Sequence, residues 1–225
     1  MYKKLLASIG LVLAGATLAH AGDMSFYEGV GVGAVDYNLH VTNAERYLPF
    51  TGADGNPIST DTYHFDKSTT AYQIFGGFRF NRYVALELNL ANLGTVHRDG
   101  TFAITNGGNL NGATLVSHTR FKPKGAGLSV LGIWPVSPSI DLFARAGVFD
   151  WSLGAPYSIT VQGQTLQQAR PSDHGTDPFF GLGAAYKWGD FSVRLEYQRY
   201  TFSTPFTAVN DTDANLIGAA FLYNF

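Results

Sequence analysis

The sequence predicts an all-β chain folded as an eight-stranded antiparallel transmembrane β-barrel, and three observations carry that expectation. Strand-like segments come in pairs joined by tight turns, with much longer polar connections between the pairs. The segment Leu216 to Phe225 places Ile217, Ala219, Phe221, Tyr223 and Phe225 on one face and Gly218, Ala220, Leu222 and Asn224 on the other. That alternation suits a wall with lipid outside and a tighter, wetter interior. Charged residues make up 14% of the chain, well below the roughly 25% of a typical soluble domain.

The first residues point to export. Met1-Tyr2-Lys3-Lys4 is a short basic start, Leu5 to Leu18 is apolar, and Ala19-His20-Ala21 has the small-x-small form of a signal-peptidase site. Residues 1–21 are therefore expected to be a cleaved signal peptide and 22–225 the barrel domain. The apolar run is short for a membrane-spanning helix and lacks the flanks of one. The chain has no Cys, so no lipid anchor follows the cleavage site and stability has to come from strand pairing and packing.

Composition narrows the class further. Gly accounts for 26 of 225 residues and aromatics for 14%. No stretch after the signal is apolar for the roughly 18 residues that a helical span needs. A chain of this kind crosses a membrane as a barrel. The net charge of −2 offers no basic field for nucleic acid. A secreted soluble β-sandwich remains open on composition, and the strand pattern decides against it.

Taken in order, the strands begin with Phe26 to Leu39, where Val30, Val32 and Ala34 face one side and Gly29, Gly31 and Gly33 the other. Small inward residues suit a narrow barrel. Residues 29–34 also match G-x-G-x-x-A, but a dinucleotide site needs a helix to open there, and Val35-Asp36-Tyr37-Asn38 continues as strand. Thr69 to Phe80 and Tyr83 to Asn92 are joined across Asn81-Arg82, the length of a tight hairpin. Thr119 to Trp134 and Ile140 to Trp151 are joined by residues 135–139, and Phe179 to Trp188 and Phe191 to Phe202 turn at Gly189-Asp190. The eighth strand is the segment ending at Phe225.

The connections at 40–68, 93–118, 152–177 and 203–213 are rich in Gly, Asn, Asp, Thr and Pro and read as loops. Short turns alternating with long polar loops match outer-membrane barrels, whose periplasmic turns are tight and whose extracellular loops are long. Thr101 to Thr105 and Ala113 to Val116 alternate well enough to extend their hairpin above the membrane or to form an extra strand pair. The second option makes a ten-stranded barrel the alternative.

Ile74-Phe75-Gly76-Gly77-Phe78-Arg79-Phe80-Asn81-Arg82-Tyr83-Val84-Ala85-Leu86-Glu87-Leu88 resembles a strand–turn–strand of the OmpA-type transmembrane domain, with its Gly-Gly-aromatic, its Asn-x-Tyr turn and its following Glu. Val193 to Gln198 resembles that family's seventh strand, Asp141 to Gly147 its fifth, and Gly181 to Tyr186 its sixth more loosely. The resemblance implies an eight-stranded barrel in the outer membrane of a Gram-negative bacterium, with a polar interior. Terminal aromatics at Phe221, Tyr223 and Phe225 resemble the signal read by the barrel-assembly machinery. The chain is expected to lack the periplasmic peptidoglycan-binding domain of larger family members.

Four strand charges stand among apolar neighbours: Glu87, Arg145, Arg194 and Glu196. Alternation places them inside, because an Arg facing lipid at mid-depth costs about 2–4 kcal/mol. The resemblance implies that Glu87 and Arg194 face each other in an interior ion-pair network. Such a network fills the lumen or, if partners exchange, gates a narrow ion path; filling is the favoured reading.

Barrel enzymes need a nucleophile, base and orienting acid at one rim. His40, His64, His97, His118 and His174 fall in loops or at their borders, and only Ser172-Asp173-His174 brings the three residue types together. Neighbours in sequence do not make a triad, and no His or carboxylate spacing suits a metal. No catalytic residue, metal ligand or cofactor is assigned. The expectation is a non-enzymatic, monomeric outer-membrane protein in contact with lipid and lipopolysaccharide, with a structural or surface-interaction role through its loops and an extracellular ligand the sequence does not name. A narrow ion channel is the first alternative and a lipid A-modifying enzyme the second. Tyr47 to Phe50 and Ala155-Pro156-Tyr157 offer loop aromatics for a partner or for packing on the rim.

Overall fold

The computed structural model describes residues 24–38, 61–103, 112–170, 172–203 and 212–225. The signal-peptide segment with Ala19 and Ala21, His40, and Tyr47 to Phe50 lie outside the described residues. Eight strands form the wall: β1 (Ser25–Asn38), β3 (Ser68–Asn81), β4 (Val84–Asn92), β6 (Thr114–Ser137), β7 (Ile140–Gly154), β10 (Ser172–Trp188), β11 (Phe191–Phe202) and β12 (Thr212–Asn224). Each pairs antiparallel with the next in sequence, and β1 closes the ring on β12 from Tyr27↔Asn224 to Asn38↔Asp213. Closure leaves every wall strand paired on both edges.

Local chemistry explains the tight turns. The Asn81 side-chain oxygen accepts from the backbone N–H of Tyr83 (2.8 Å) and Val84 (3.0 Å), folding β3 back onto β4. Gly189, between β10 and β11, has φ +58°, a conformation glycine adopts without steric cost.

Alternation then decides what each face carries. Val30, Val32, Ile74, Leu128, Val130, Leu182, Leu195 and Ile217 are exposed on the outside. Inside, small residues stand where bulky neighbours swing across: a Cβ on Gly29 would come within 2.5 Å of the Phe75 ring, and one on Gly183 within 2.6 Å of Phe143. Gly29 thus leaves the space that Phe75 fills and Gly183 the space for Phe143, while Gly31 makes room for the Gln73 side chain.

Four further strands lie beyond the wall: β2 (Asp61–Phe65), β5 (Val96–Ala103), β8 (Tyr157–Val161) and β9 (Gln164–Ala169). Strand β6 is 24 residues long, and its two halves pair differently. Its second half lies between β4 and β7 in the wall, whereas Thr114 to Phe121 pair with β5 and Leu115 to Thr119 with β8. With β2 on β5 and β9 on β8, a five-stranded sheet in the order β2-β5-β6-β8-β9 rises from the long-loop end. The break between β4 and β5 falls at Gly94 (φ +85°), where a Cβ would meet the Thr69 side chain at 2.5 Å.

This corrects the loop boundaries. Much of 93–118 and 152–177 is strand, β6 starts at Thr114 and β10 at Ser172. Of those two segments, Thr101 to Ala103 pair with Thr114 to Val116 and extend their hairpin without entering the wall, so the wall count is eight and the ten-stranded alternative falls. His97, His118 and His174 accordingly sit within β5, β6 and β10, not in loops.

Candidate functional site

Two places in the molecule carry chemistry: the lumen and the sheet above it. The lumen is layered. At mid-height Glu87 on β4, Arg145 on β7, and Arg194 and Glu196 on β11 meet in one cluster, each at most 6% exposed. Arg145 Nη2 donates to Glu87 Oε1 at 2.7 Å, and its Nε lies 2.5 Å from Glu196 Oε1. Arg194 Nη1 donates to the other Glu87 oxygen at 2.7 Å and stands 3.9 Å from Glu196. The Tyr27 hydroxyl donates to Glu87 Oε2 at 2.8 Å. Two carboxylates and two guanidiniums balance, so the cluster carries no net charge.

The strand pairing explains how four large side chains fit. Arg145 stands opposite Gly181, and Glu196 stands between Gly183 and Gly218. A Cβ on Gly181 would lie 2.9 Å from Glu196 Oε1 and 3.0 Å from Arg145 Cγ. Arg194 also lies over the rings of Phe143 and Phe75, 4.8 and 5.0 Å from their centroids, where the ring faces attract a cation.

Apolar layers close both sides of this belt. Towards the long-loop end Phe149, Trp151, Phe179, Tyr200 and Phe202 pack with Val35, Tyr37, Leu93 and Leu216. Phe179 and Tyr200 stack at 5.2 Å, and the Trp151 indole N–H donates to Asp177 Oδ2 at 2.7 Å. Towards the short-turn end Tyr27, Phe75, Phe143, Leu131 and Leu222 form the second layer. Below it Asp141 is held by Arg79 (3.1 Å) and Lys187 (2.8 Å). Sequence reasoning passed over this last trio, although Asp141, Arg79 and Lys187 share the inward parity of their strands.

The sheet above the barrel is two-faced. Val96, Ile159 and Val161 are buried on one face, while His97, Arg120 and His118 are exposed on the other. His118 Nδ1 lies 2.7 Å from Asp99 Oδ1. Ala155 is buried at the barrel rim and Tyr157, half-buried, opens β8. At the start of β10, Ser172 and His174 point outward and Asp173 points the other way, so strand alternation separates the acid from the other two. Among the described residues there is no grouping of three or more His or carboxylate side chains able to hold a metal ion.

The profile of the OmpA-like transmembrane domain matches residues 21–225. The chain belongs to that family. It is 29% identical to outer membrane protein A of Shigella flexneri over 96% of its length, and 27% identical to that of Salmonella typhi over the same share. It is 26% identical to outer membrane protein P5 of Haemophilus influenzae over 89%. The chain spans about half the length of these curated relatives, 51–52%. Among solved structures, Neisserial surface protein A aligns with 89% of this chain and 97% of its own, at 12% identity and a TM-score of 0.48. OmpA-like membership makes the protein an outer-membrane β-barrel, with the tight turns periplasmic and the five-stranded sheet on the cell surface.

Outward aromatics mark the periplasmic boundary. Phe191, Phe221, Tyr223 and Phe225 form a continuous cluster, with Tyr223 and Phe225 edge to face at 4.8 Å. Tyr83, Trp134 and Trp188 are exposed towards the same end, as expected of the girdle where barrel meets head groups.

Proposed function

We propose that this protein is a non-enzymatic surface-interaction protein, in which a closed barrel serves as the mount for the extracellular five-stranded sheet. The observation that carries the reading is β6, one uninterrupted strand from the periplasmic turn into the extracellular sheet. A continuous strand transmits the rigidity of the closed wall to the surface, and a rigid scaffold holds a binding face at low entropic cost. The interior charges act as packing within this reading: a neutral cluster between two apolar layers leaves little room for a hydrated ion. An eight-stranded interior is in any case only just wide enough to be filled by side chains. The row Phe221, Tyr223 and Phe225 serves, in the same reading, as the feature engaged by the barrel-assembly machinery.

The deciding experiment replaces residues 96–120 and 157–169 by short turns and displays the trimmed and full chains on cells. Both are expected to show heat-dependent gel mobility, and binding of intact cells to arrayed glycans and matrix proteins should appear only with the full chain. Equal binding by both forms would overturn the proposal. A steady single-channel current from the full chain in planar bilayers would favour an ion path instead.

A further inference from the structure

From the outer face of β6 we infer a binding site for the phosphates of an outer-leaflet glycolipid, the lipid A class, formed by Arg120, Lys122 and Lys124. Outward positions on β6 read, from the periplasmic side upward, Val136, Trp134, Gly132, Val130, Leu128, Ala126, and then Lys124, Lys122, Arg120 and His118. The change from apolar to cationic is abrupt, and its height can be reckoned. From Trp134 to Lys124, at about 3.4 Å per residue and a tilt of about 40°, the strand climbs roughly 26 Å. The apolar band of such barrels is about 25 Å tall. With Trp134 in the periplasmic girdle, Lys124 therefore stands at the outer-leaflet head groups.

Neighbouring strands supply the rest of the surface. His97 lies opposite Arg120, and Ser152 joins Lys124 to His174 across β7 and β10. Among the described residues the carboxylates on this face are Asp99, engaged by His118, Asp66, whose backbone N–H donates to the His97 carbonyl, and Asp150, one step diagonal from Lys124 across the β6–β7 pair. Arg120, Lys122 and Lys124 make no ion pair or side-chain hydrogen bond among the described residues.

The far side of the barrel is different. There Arg199 is paired with Asp213, and Asp36 accepts a hydrogen bond from Ser68. Arg199 thus has a carboxylate partner within the protein, whereas among the described residues the three cations on β6 have none. What meets them in place is the lipid that already covers the wall below, and the anionic group of an outer-leaflet glycolipid at that height is phosphate. A guanidinium and two ammonium groups match it in charge and hydrogen bonding. This site stands whether or not the extracellular sheet binds a partner.

The test reconstitutes the full chain in phosphatidylcholine nanodiscs containing a minor fraction of diphosphoryl lipid A, and reads lipid A retained per protein by native mass spectrometry. Preferential retention by the wild type is expected. Neutralising Arg120, Lys122 and Lys124 to Gln should reduce it by about fivefold per cation, the factor equivalent to about 1 kcal/mol for each cation near an anionic surface. Lys122→Arg with Lys124→Arg should keep it, and Arg82→Gln on the periplasmic turn should not change it. A retained heat-dependent mobility shift will show that the variants fold. Equal retention by the triple variant, equal retention of dephosphorylated lipid A, or displacement by inorganic phosphate at millimolar concentration would each overturn the assignment.

Discussion

Each residue of the interior cluster has a different stake in it, because the partners are shared unequally. Arg145 contacts both carboxylates closely, while Arg194 is close to Glu87 and distant from Glu196. Removing one member of a buried pair costs about 3–5 kcal/mol, since the remaining charge loses its compensation. Arg145→Leu is therefore expected to lower unfolding stability more than Arg194→Leu, measured by urea titration in detergent micelles. The swap of Glu87→Arg with Arg194→Glu should recover part of the loss suffered by either single change, and zero coupling in the double-mutant cycle would count against direct contact. Glycine positions make the complementary case. Gly183→Ala drives a methyl into the Phe143 ring beside Arg194, and overpacking of this kind costs about 1–3 kcal/mol. The same substitution at Gly132, whose Cβ would meet nothing within 4 Å, should be nearly silent.

At the scale of elements, the wall and the surface sheet have separate sources of stability. The wall is a closed ladder with a filled lumen, whereas the sheet hangs on β6 and on the short links at Gly94 and Ala155-Pro156. Replacing residues 96–120 by a short turn keeps the β4–β6 register from Asn92↔Lys124 downward, so the barrel should still form. Its unboiled band in a denaturing gel should keep its shifted mobility. Trp151→Ala strikes the upper apolar layer instead, removing ring packing on Phe202 and the donor to Asp177. A large-to-small change at a buried Trp costs about 3–5 kcal/mol, and the thermal midpoint of the shifted band should fall accordingly.

For the whole molecule the question is whether the barrel conducts. Two apolar layers bracket a neutral charge cluster, and Asp141, held by Arg79 and Lys187, stands below them. An ion entering this lumen would have to displace packed rings and shed its water. Planar bilayers containing the wild type should therefore pass little or no current. Steady conductance that increased in Glu87→Ala or Arg194→Ala would overturn the packing role of the cluster.

The sequence by itself determined the eight wall strands and which face of each is inward, because a period of two is a local property and lipid on one side enforces it. Val30 and Val32 outside with Gly29, Gly31 and Gly33 inside could be read without any knowledge of neighbours, as could the turn at Gly189. Glu87, Arg145, Arg194 and Glu196 could each be placed inside for the same reason. Register across strands decided what they touch: Arg145 bridges two carboxylates because Gly181 and Gly183 leave space on the adjacent strand, a fact no single strand contains. Of the surface sheet only the pairing of 101–103 with 114–116 was legible, as an extension of its hairpin, and β2, β8 and β9 were not, for a related reason. Apart from β6 its strands are five to eight residues long, and they pair as they do because β6 continues upward and offers both edges. The phosphate site likewise depends on height and on which charges are already matched, and both are set by closure of the barrel.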